Sequence, residues 1–243
     1  MSEVISLDEH RLLCGDATNK EDVDKLLDGV QVDLLLTDPP YGINIVQTVK
    51  IGERERANGR VGFPGEAEAR EYKPIMNDDK PFNPQHLLNF NVPSILFGAN
   101  NFAHELPNNS KWLVWFKKAD LNKCKNPFSD CELAWTNFDG KSVKLYHHTW
   151  SGMIRQGERR LELKERVHPT QKPVGLLKRL IEEYCPPNGV VLDLYGGSGS
   201  TLIACAETGR TCYMMELSEG YVEIIQERYW NYRDKEQRTL YEY

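Results

Sequence analysis

Two short stretches carry residue types that can do chemistry. The first is Thr37-Asp38-Pro39-Pro40-Tyr41. It closes an apolar run, Val32-Asp33-Leu34-Leu35-Leu36, whose length suits a buried strand. Two prolines stop that strand, because neither donates to a ladder and Pro40 holds Pro39 extended. The corner displays one carboxylate, carbonyls without competing local donors, and one aromatic ring. Such a set grips a flat group carrying an amino function, with the ring on its face and oxygens on its N–H bonds. An ordinary strand-end turn has the same composition, since prolines and aspartates are common in turns.

The second stretch runs from Val190 to Thr201 and reads VVLDLYGGSGST. A buried strand enters a glycine-rich turn, and the helix predicted after it spans Thr201 to Glu207. No Lys-Ser/Thr pair follows the glycines, as a phosphate loop requires. A dinucleotide fingerprint also fails, because Leu202 stands where its third glycine belongs and Asp193 precedes the turn. A carboxylate there repels a pyrophosphate and suits a cationic amino or sulfonium group. Glu216 ends the next apolar run, 19 residues past Gly197, near the interval at which a second-strand carboxylate meets ribose hydroxyls.

Two smaller signals join these. Asp16 follows the run Arg11-Leu12-Leu13-Cys14, and the end of such a strand is where open α/β sheets bind ligands. In His168-Pro169-Thr170-Gln171-Lys172-Pro173, Thr170 is expected to cap a helix whose apolar residues are Val174, Leu177, Leu180, Ile181 and Tyr184. Capping does not account for Lys172, because a cation in a first turn opposes the helix dipole. Both side chains are candidates to meet an anionic group.

The elements that must position these residues read as a parallel α/β sheet. Strand 11–14, a weak helix from Lys20 to Leu27 and strand 32–36 form a β-α-β start. Further strands are expected at 94–98, 111–116, 132–136 and 143–146, the last two antiparallel to each other. The tryptophans are expected in the core. A helix opens at Ser218, and the charged residues from Arg233 onward predict a fraying tail. Residues 42–92 read as a long mobile surface loop that starts at the Asp38 corner and is placed to cover it.

Bulk numbers set limits. The 243 residues suffice for one large α/β domain. Hydrophobic residues at 40% and charged residues at 27% are ordinary for a soluble chain. No run approaches the roughly 18 apolar residues of a membrane span, and no secretion signal is visible, so a cytoplasmic protein is expected. The six cysteines include no C-x-x-C pair and read as free thiols. Cys124, Cys131, His147 and His148 match no structural zinc spacing, and no metal is expected. Net charge of −6 disfavours indiscriminate coating of nucleic acid. Local basic segments remain: Lys111 to Lys125 holds five lysines against one aspartate. Such a surface can engage phosphates.

Taken together, Asp38-Pro39-Pro40-Tyr41 followed much later by Asp193-x-Tyr195-x-Gly197-x-Gly199 resembles the S-adenosylmethionine-dependent amino-group DNA methyltransferases. Catalytic motif first and cofactor motif late is the circularly permuted order of their beta class. The 168–173 segment and Gly15-Asp16 are similar to that class as well. The resemblance implies a single Rossmann-like methyltransferase domain over 1–243, with an open, mostly parallel sheet and helices on both faces. It implies that Asp38, Pro39, Pro40 and Tyr41 hold the base. It implies a cofactor site made from Asp16, Asp38, Thr170, Lys172, Asp193, Tyr195, Gly197, Gly199, Thr201 and Glu216. Asp193 would lie near the methionine part, Glu216 on the ribose, Asp16 on the adenine amino group, and Thr170 and Lys172 on the methionine carboxylate. Tyr195 stands where the family often has phenylalanine.

The implied partner is double-stranded DNA with a flipped target base, in a restriction-modification setting, with a homodimer as a further expectation. Residues 139–167 would be a short target-recognition segment. Adenine is the expected target, because cytosine-N4 enzymes more often carry serine at the position of Asp38. RNA and protein glutamine are rival substrates, but the glutamine enzymes usually show asparagine at that position and an unpermuted order. A non-catalytic nucleic-acid-binding module would be expected to have lost one of Asp38, Tyr41, Asp193 or Glu216.

Overall fold

Apolar runs and strands coincide through most of the chain. The computed structural model describes residues 3–43, 76–119, 129–151, 154–155 and 171–241. Among them the strands are β1 (Val4–Leu7), β2 (His10–Cys14), β3 (Leu34–Thr37), β4 (Ser94–Phe97), β5 (Trp112–Phe116), β6 (Cys131–Thr136), β7 (Lys144–His147), β8 (Trp150–Ser151), β9 (Ile154–Arg155), β10 (Val190–Asp193) and β11 (Thr211–Glu216). The helices are α1 (Lys20–Leu27), α2 (Gln85–Leu88), α3 (Val174–Tyr184), α4 (Ser200–Thr208) and α5 (Glu219–Tyr241).

One nine-stranded sheet runs in the order β1-β2-β11-β10-β3-β4-β6-β5-β7. From β2 to β4 every pairing is parallel. The strands alternate their burial between two cores, which is what helices on both faces require. Leu34, Leu36, Val191 and Met214 pack with Leu177, Ile181, Ile203 and Ile225 of α3, α4 and α5. Leu35, Leu192 and Met215 face the other way, onto Val23 and Leu26 of α1 and Leu87 of α2. Helix α4 starts after Gly199 (φ 76°) and stops at Gly209 (φ 65°). No described helix is long and apolar enough to cross a membrane.

Several expectations need correction. The 132–136 and 143–146 strands do not pair with each other. β5 lies between them, antiparallel to β6 and parallel to β7. β5 is the most apolar of the three, and its inner place buries Leu113 and Trp115 at 3% exposure, while Leu145 on the edge is 68% exposed. β3 begins at Leu34 rather than Val32. Asp33 instead grips the start of β10, its N–H donating to the Val190 carbonyl at 2.9 Å and its Oδ2 accepting the Val190 N–H at 2.7 Å. β1 had no sequence signal strong enough to expect it. The N-cap of α3 is Pro173, without a side-chain cap. Thr170 itself lies outside the described residues, as do 44–75 of the expected loop, Cys124, and 156–167 of the expected recognition segment. The charged tail does not fray at Arg233: α5 continues to Tyr241, and Arg233 Nε reaches Asp8 Oδ2 at 2.9 Å. Trp115 and Trp135 are core residues, but Trp230 is 46% exposed.

Candidate active site

Parallel strands that share a direction end on the same side, and their following loops meet there. β3 and β10 are neighbours, with Leu34 opposite Val191 and Leu35 opposite Leu192. The Asp38 corner and the glycine turn therefore emerge side by side. β11 and β2 bring Glu216 opposite Cys14, and the Gly15 N–H donates to the Glu216 carbonyl at 3.1 Å. A cleft of about 310 Å³ opens over these strand ends. Asp16, Asp38, Pro39, Pro40, Tyr41, Tyr195, Gly197 and Glu216 all line it. Lys172, Asp193, Gly199 and Thr201 are not among its lining residues.

The turn at the cleft is set by backbone. Gly197 adopts φ 52°, which a residue with a Cβ rarely adopts. Its N–H donates to Glu216 Oε2 at 2.8 Å, and Ser218 N–H donates to Oε1 at 2.9 Å. Burial pushes the Glu216 carboxyl up, and those N–H groups oppose the rise. Asp16 Oδ1 accepts from the Thr18 N–H and hydroxyl at 2.8 and 2.7 Å.

Asp193 behaves differently from expectation. Its side chain is turned into the protein, where Oδ1 accepts the Thr37 hydroxyl at 2.7 Å and the Tyr195 N–H at 3.1 Å. It stitches the ends of β3 and β10 together beneath the turn. Burial raises its carboxyl, and the Thr201 and Thr37 hydroxyls act against that rise.

At the Asp38 corner, the Tyr41 hydroxyl donates to Asp38 Oδ1 and Lys172 Nζ donates to Asp38 Oδ2. Lys172 thus sits on the Asp38 carboxylate and not on the glycine turn. Burial pushes Asp38 up, and Lys172 opposes it. Burial would lower Lys172, but Asp38 and Glu132 outweigh that and raise it. Lys172 stays an ammonium. The Tyr41 ring fits where Gly98 has no side chain: a Cβ there would stand 1.9 Å from Tyr41 Cε1.

The sequence reading missed four contributors. Asp78 accepts the backbone N–H groups of Tyr41, Gly42 and Ile43 at 3.1, 3.0 and 3.3 Å. His86 Nε2 lies 2.8 Å from the Tyr195 hydroxyl, and Phe82 packs edge-on against both rings. Burial lowers His86, which keeps it neutral near pH 7. Glu132 stands behind Lys172 at 3.2 Å. No local motif marks any of these. Only the position of Asp78 and His86 in the stretch after the corner hinted at them.

Chemically, the cleft is acidic and aromatic. Its wall carries Asp16, Asp38, Asp78 and Glu216 against Lys80, with faces from Phe82, Tyr195 and Tyr221. That composition suits a cationic ligand with a flat ring.

A family model described as DNA methylase matches residues 47–227. Over 63 residues the chain is 48% identical to YubD of Escherichia coli (strain K12), covering 26% of this chain and 28% of that protein. It is 25% identical over 232 residues to the type II methyltransferase M2.MboI of Moraxella bovis, covering 82% of this chain and 80% of the relative. Two solved structures share the fold. The M1.HpyAVI complex with SAM gives a TM-score of 0.50 at 19% identity, covering 89% of this chain and 98% of that one. The PvuII DNA methyltransferase (cytosine-N4-specific) gives 0.52 at 15% identity, covering 91% and 90%.

Proposed function

This chain belongs to the DNA methylase family, and from that premise we propose that it moves a methyl group from S-adenosylmethionine to the exocyclic amino group of an adenine swung out of a DNA duplex. One observation carries the reading: the Asp38 corner and the Glu216 wall line the same cleft. An amino-group grip and a carboxylate-walled ligand site are then within one cavity.

The residues present fit the cofactor. Glu216 and Asp16 stand at strand ends with carboxylates suited to hydroxyl and amino donors, and Gly197 lets the backbone approach closely. The acidic wall suits a sulfonium. When bound, S-adenosylmethionine supplies an electrophilic methyl group at that cation. Asp193 acts indirectly, by fixing the turn. Lys172 belongs to the base side of the site.

An exocyclic amino group is a poor nucleophile because its lone pair is delocalised into the ring. The Asp38 carboxylate and the Pro39 carbonyl accept its N–H bonds, which favours a pyramidal nitrogen with a localised lone pair. Lys172 holds the charge on Asp38 in place, and Tyr41 orients it. The base must first leave the stack, at a cost of a few kcal/mol.

Adenine rests on Asp38 at the head of the motif. Cytosine is the second reading, because the PvuII enzyme of like fold is named cytosine-N4-specific and the same two acceptors would meet its amino group. The same proposal assigns 139–167 to target recognition and Met76 to His86, within the 42–92 stretch, to the cofactor wall. A homodimer and a cytoplasmic location belong to it as well. Exposed Val143 and Leu145 at the β7 edge support a dimer.

The test is direct. Incubate the protein with methyl-labelled S-adenosylmethionine and unmethylated DNA, digest to nucleosides, and identify the labelled one. Label in N6-methyl-2′-deoxyadenosine is expected. Label in N4-methylcytosine selects the second reading, and no label with intact cofactor binding sinks both.

A further inference from the structure

Behind the Asp38 corner, four charged side chains stand in an unbroken row. Lys117 Nζ donates to Glu132 Oε1 at 2.7 Å. Glu132 Oε2 lies 3.2 Å from Lys172 Nζ, an ion pair and not a directed hydrogen bond. Lys172 Nζ donates to Asp38 Oδ2 and, at 3.3 Å, to the Tyr41 hydroxyl. Charge alternates along the row, ammonium and carboxylate in turn. Side-chain exposures of 17% for Lys117, 25% for Glu132, 8% for Lys172 and 20% for Asp38 keep most of it from water. Three separate elements supply the row behind Asp38: Lys117 follows β5, Glu132 lies within β6, and Lys172 precedes α3.

We infer that Glu132 is a positioning residue for methyl transfer, drawing Lys172 away from full neutralisation of Asp38 while keeping it in contact. The inference rests on Asp38 being the acceptor for the base amino group. A carboxylate bound to an ammonium of its own is a weakened acceptor, because that cation takes its lone-pair density. A carboxylate buried with no cation takes a proton and becomes a donor, which is the wrong group for an amino N–H. Sharing one ammonium between two carboxylates lies between these limits. Lys117 completes the arrangement by holding Glu132 at the far side.

The groups facing Asp38 are Lys172, Glu132, Tyr41 and, from the end of β10, Asp193. Tyr41 stays protonated, because burial and the nearby carboxylates push its hydroxyl well above its usual range. Burial pushes Glu132 up, but Lys172 and Lys117 outweigh it and hold it ionised. Glu132 and Lys172 are thus both charged at neutral pH.

The sign of the pH effect distinguishes this role from simple packing. Wild type is first shown to transfer label to DNA; if it does not, the proposed function fails and Glu132 is not at issue. In E132Q, Lys172 acts on Asp38 alone. The acidic limb of the kcat–pH profile is expected to move down by about one pH unit. At neutral pH kcat falls about tenfold or more, with the KM for DNA and cofactor affinity little changed. K172M removes the ammonium and is expected to move the limb up. E132D, which keeps a carboxylate, restores part of the rate. Unchanged kcat and limb in E132Q overturn the inference, and so does a loss of rate with no shift of the limb. Should E132Q fail to fold, K117M reads the same row from its outer end. Its limb is expected to move up, and an unmoved limb overturns the inference equally.

Discussion

The Asp78 carboxylate accepts the backbone N–H of Tyr41 at 3.1 Å, across 37 residues of chain. It takes the next two N–H groups, of Gly42 and Ile43, as well. One side chain therefore fixes the exit of the Asp38 corner. Replacing it leaves three backbone donors without that partner. Asp78→Ala is expected to cost about 1.5–3 kcal/mol, a fall of roughly 3–12 °C in melting temperature for a chain of this size. Calorimetry measures the first effect. Methyl transfer, measured well below the new melting temperature, is expected to fall too, because Tyr41 loses its anchor.

Asp38→Ala is expected to lower kcat by about 10² to 10⁴ while sparing cofactor affinity. The variant stays folded because Lys172 keeps Glu132 as its partner at 3.2 Å. Isothermal titration with the cofactor and labelled-methyl transfer read the two sides. Near-full transfer would remove Asp38 from the proposed role.

Gly98 and Gly29 make a matched pair. Both have positive φ, 66° and 77°. A Cβ at Gly98 would strike the Tyr41 ring, and one at Gly29 would meet nothing within 4 Å. Each alanine costs about 1–2 kcal/mol in backbone strain. Only Gly98→Ala displaces Tyr41, so only it is expected to lose transfer, by about a hundredfold. Equal losses in both variants would mean that strain alone is responsible.

His86 gives a pH dependence of known sign. Burial holds its pKa below the ordinary 6.5. As pH falls below that value the unfolded chain binds the proton and the folded chain resists it, so stability falls. Above it both states are neutral and the group contributes no slope. His86→Gln keeps a partner for the Tyr195 hydroxyl and removes the titration. Melting curves from pH 7.5 to 5.5 are expected to fall more steeply for wild type than for the variant.

What the sequence could disclose was local. Strand ends at Cys14, Thr37, Asp193 and Glu216 followed from apolar runs and the residues that stop them, and those ends placed Asp16, Asp38, Gly197 and Glu216 in one cleft. Partners far along the chain were not legible. Lys172 reaches Asp38 over 134 residues, and His86 reaches Tyr195 over 109. Asp193 was expected to face a ligand because it precedes a glycine turn. The Thr37 hydroxyl, 156 residues away, turns it inward instead. The β6–β7 pairing failed for a related reason: adjacency along the chain favoured it, and the stronger apolar demand of β5 displaced it.

The position of β11 has a consequence for how the protein is made. β11 comes last among the described strands and lies inside the sheet, between β10 and β2. A ribosome delivers β2 early, at about 5–20 residues per second, so its β11-facing edge waits on the order of ten seconds or more for residues 211–216. During that interval that edge has no permanent neighbour. The nascent chain then carries the Asp38 corner without the Glu216 wall. The cleft that joins the two is therefore complete only once β11 has been made.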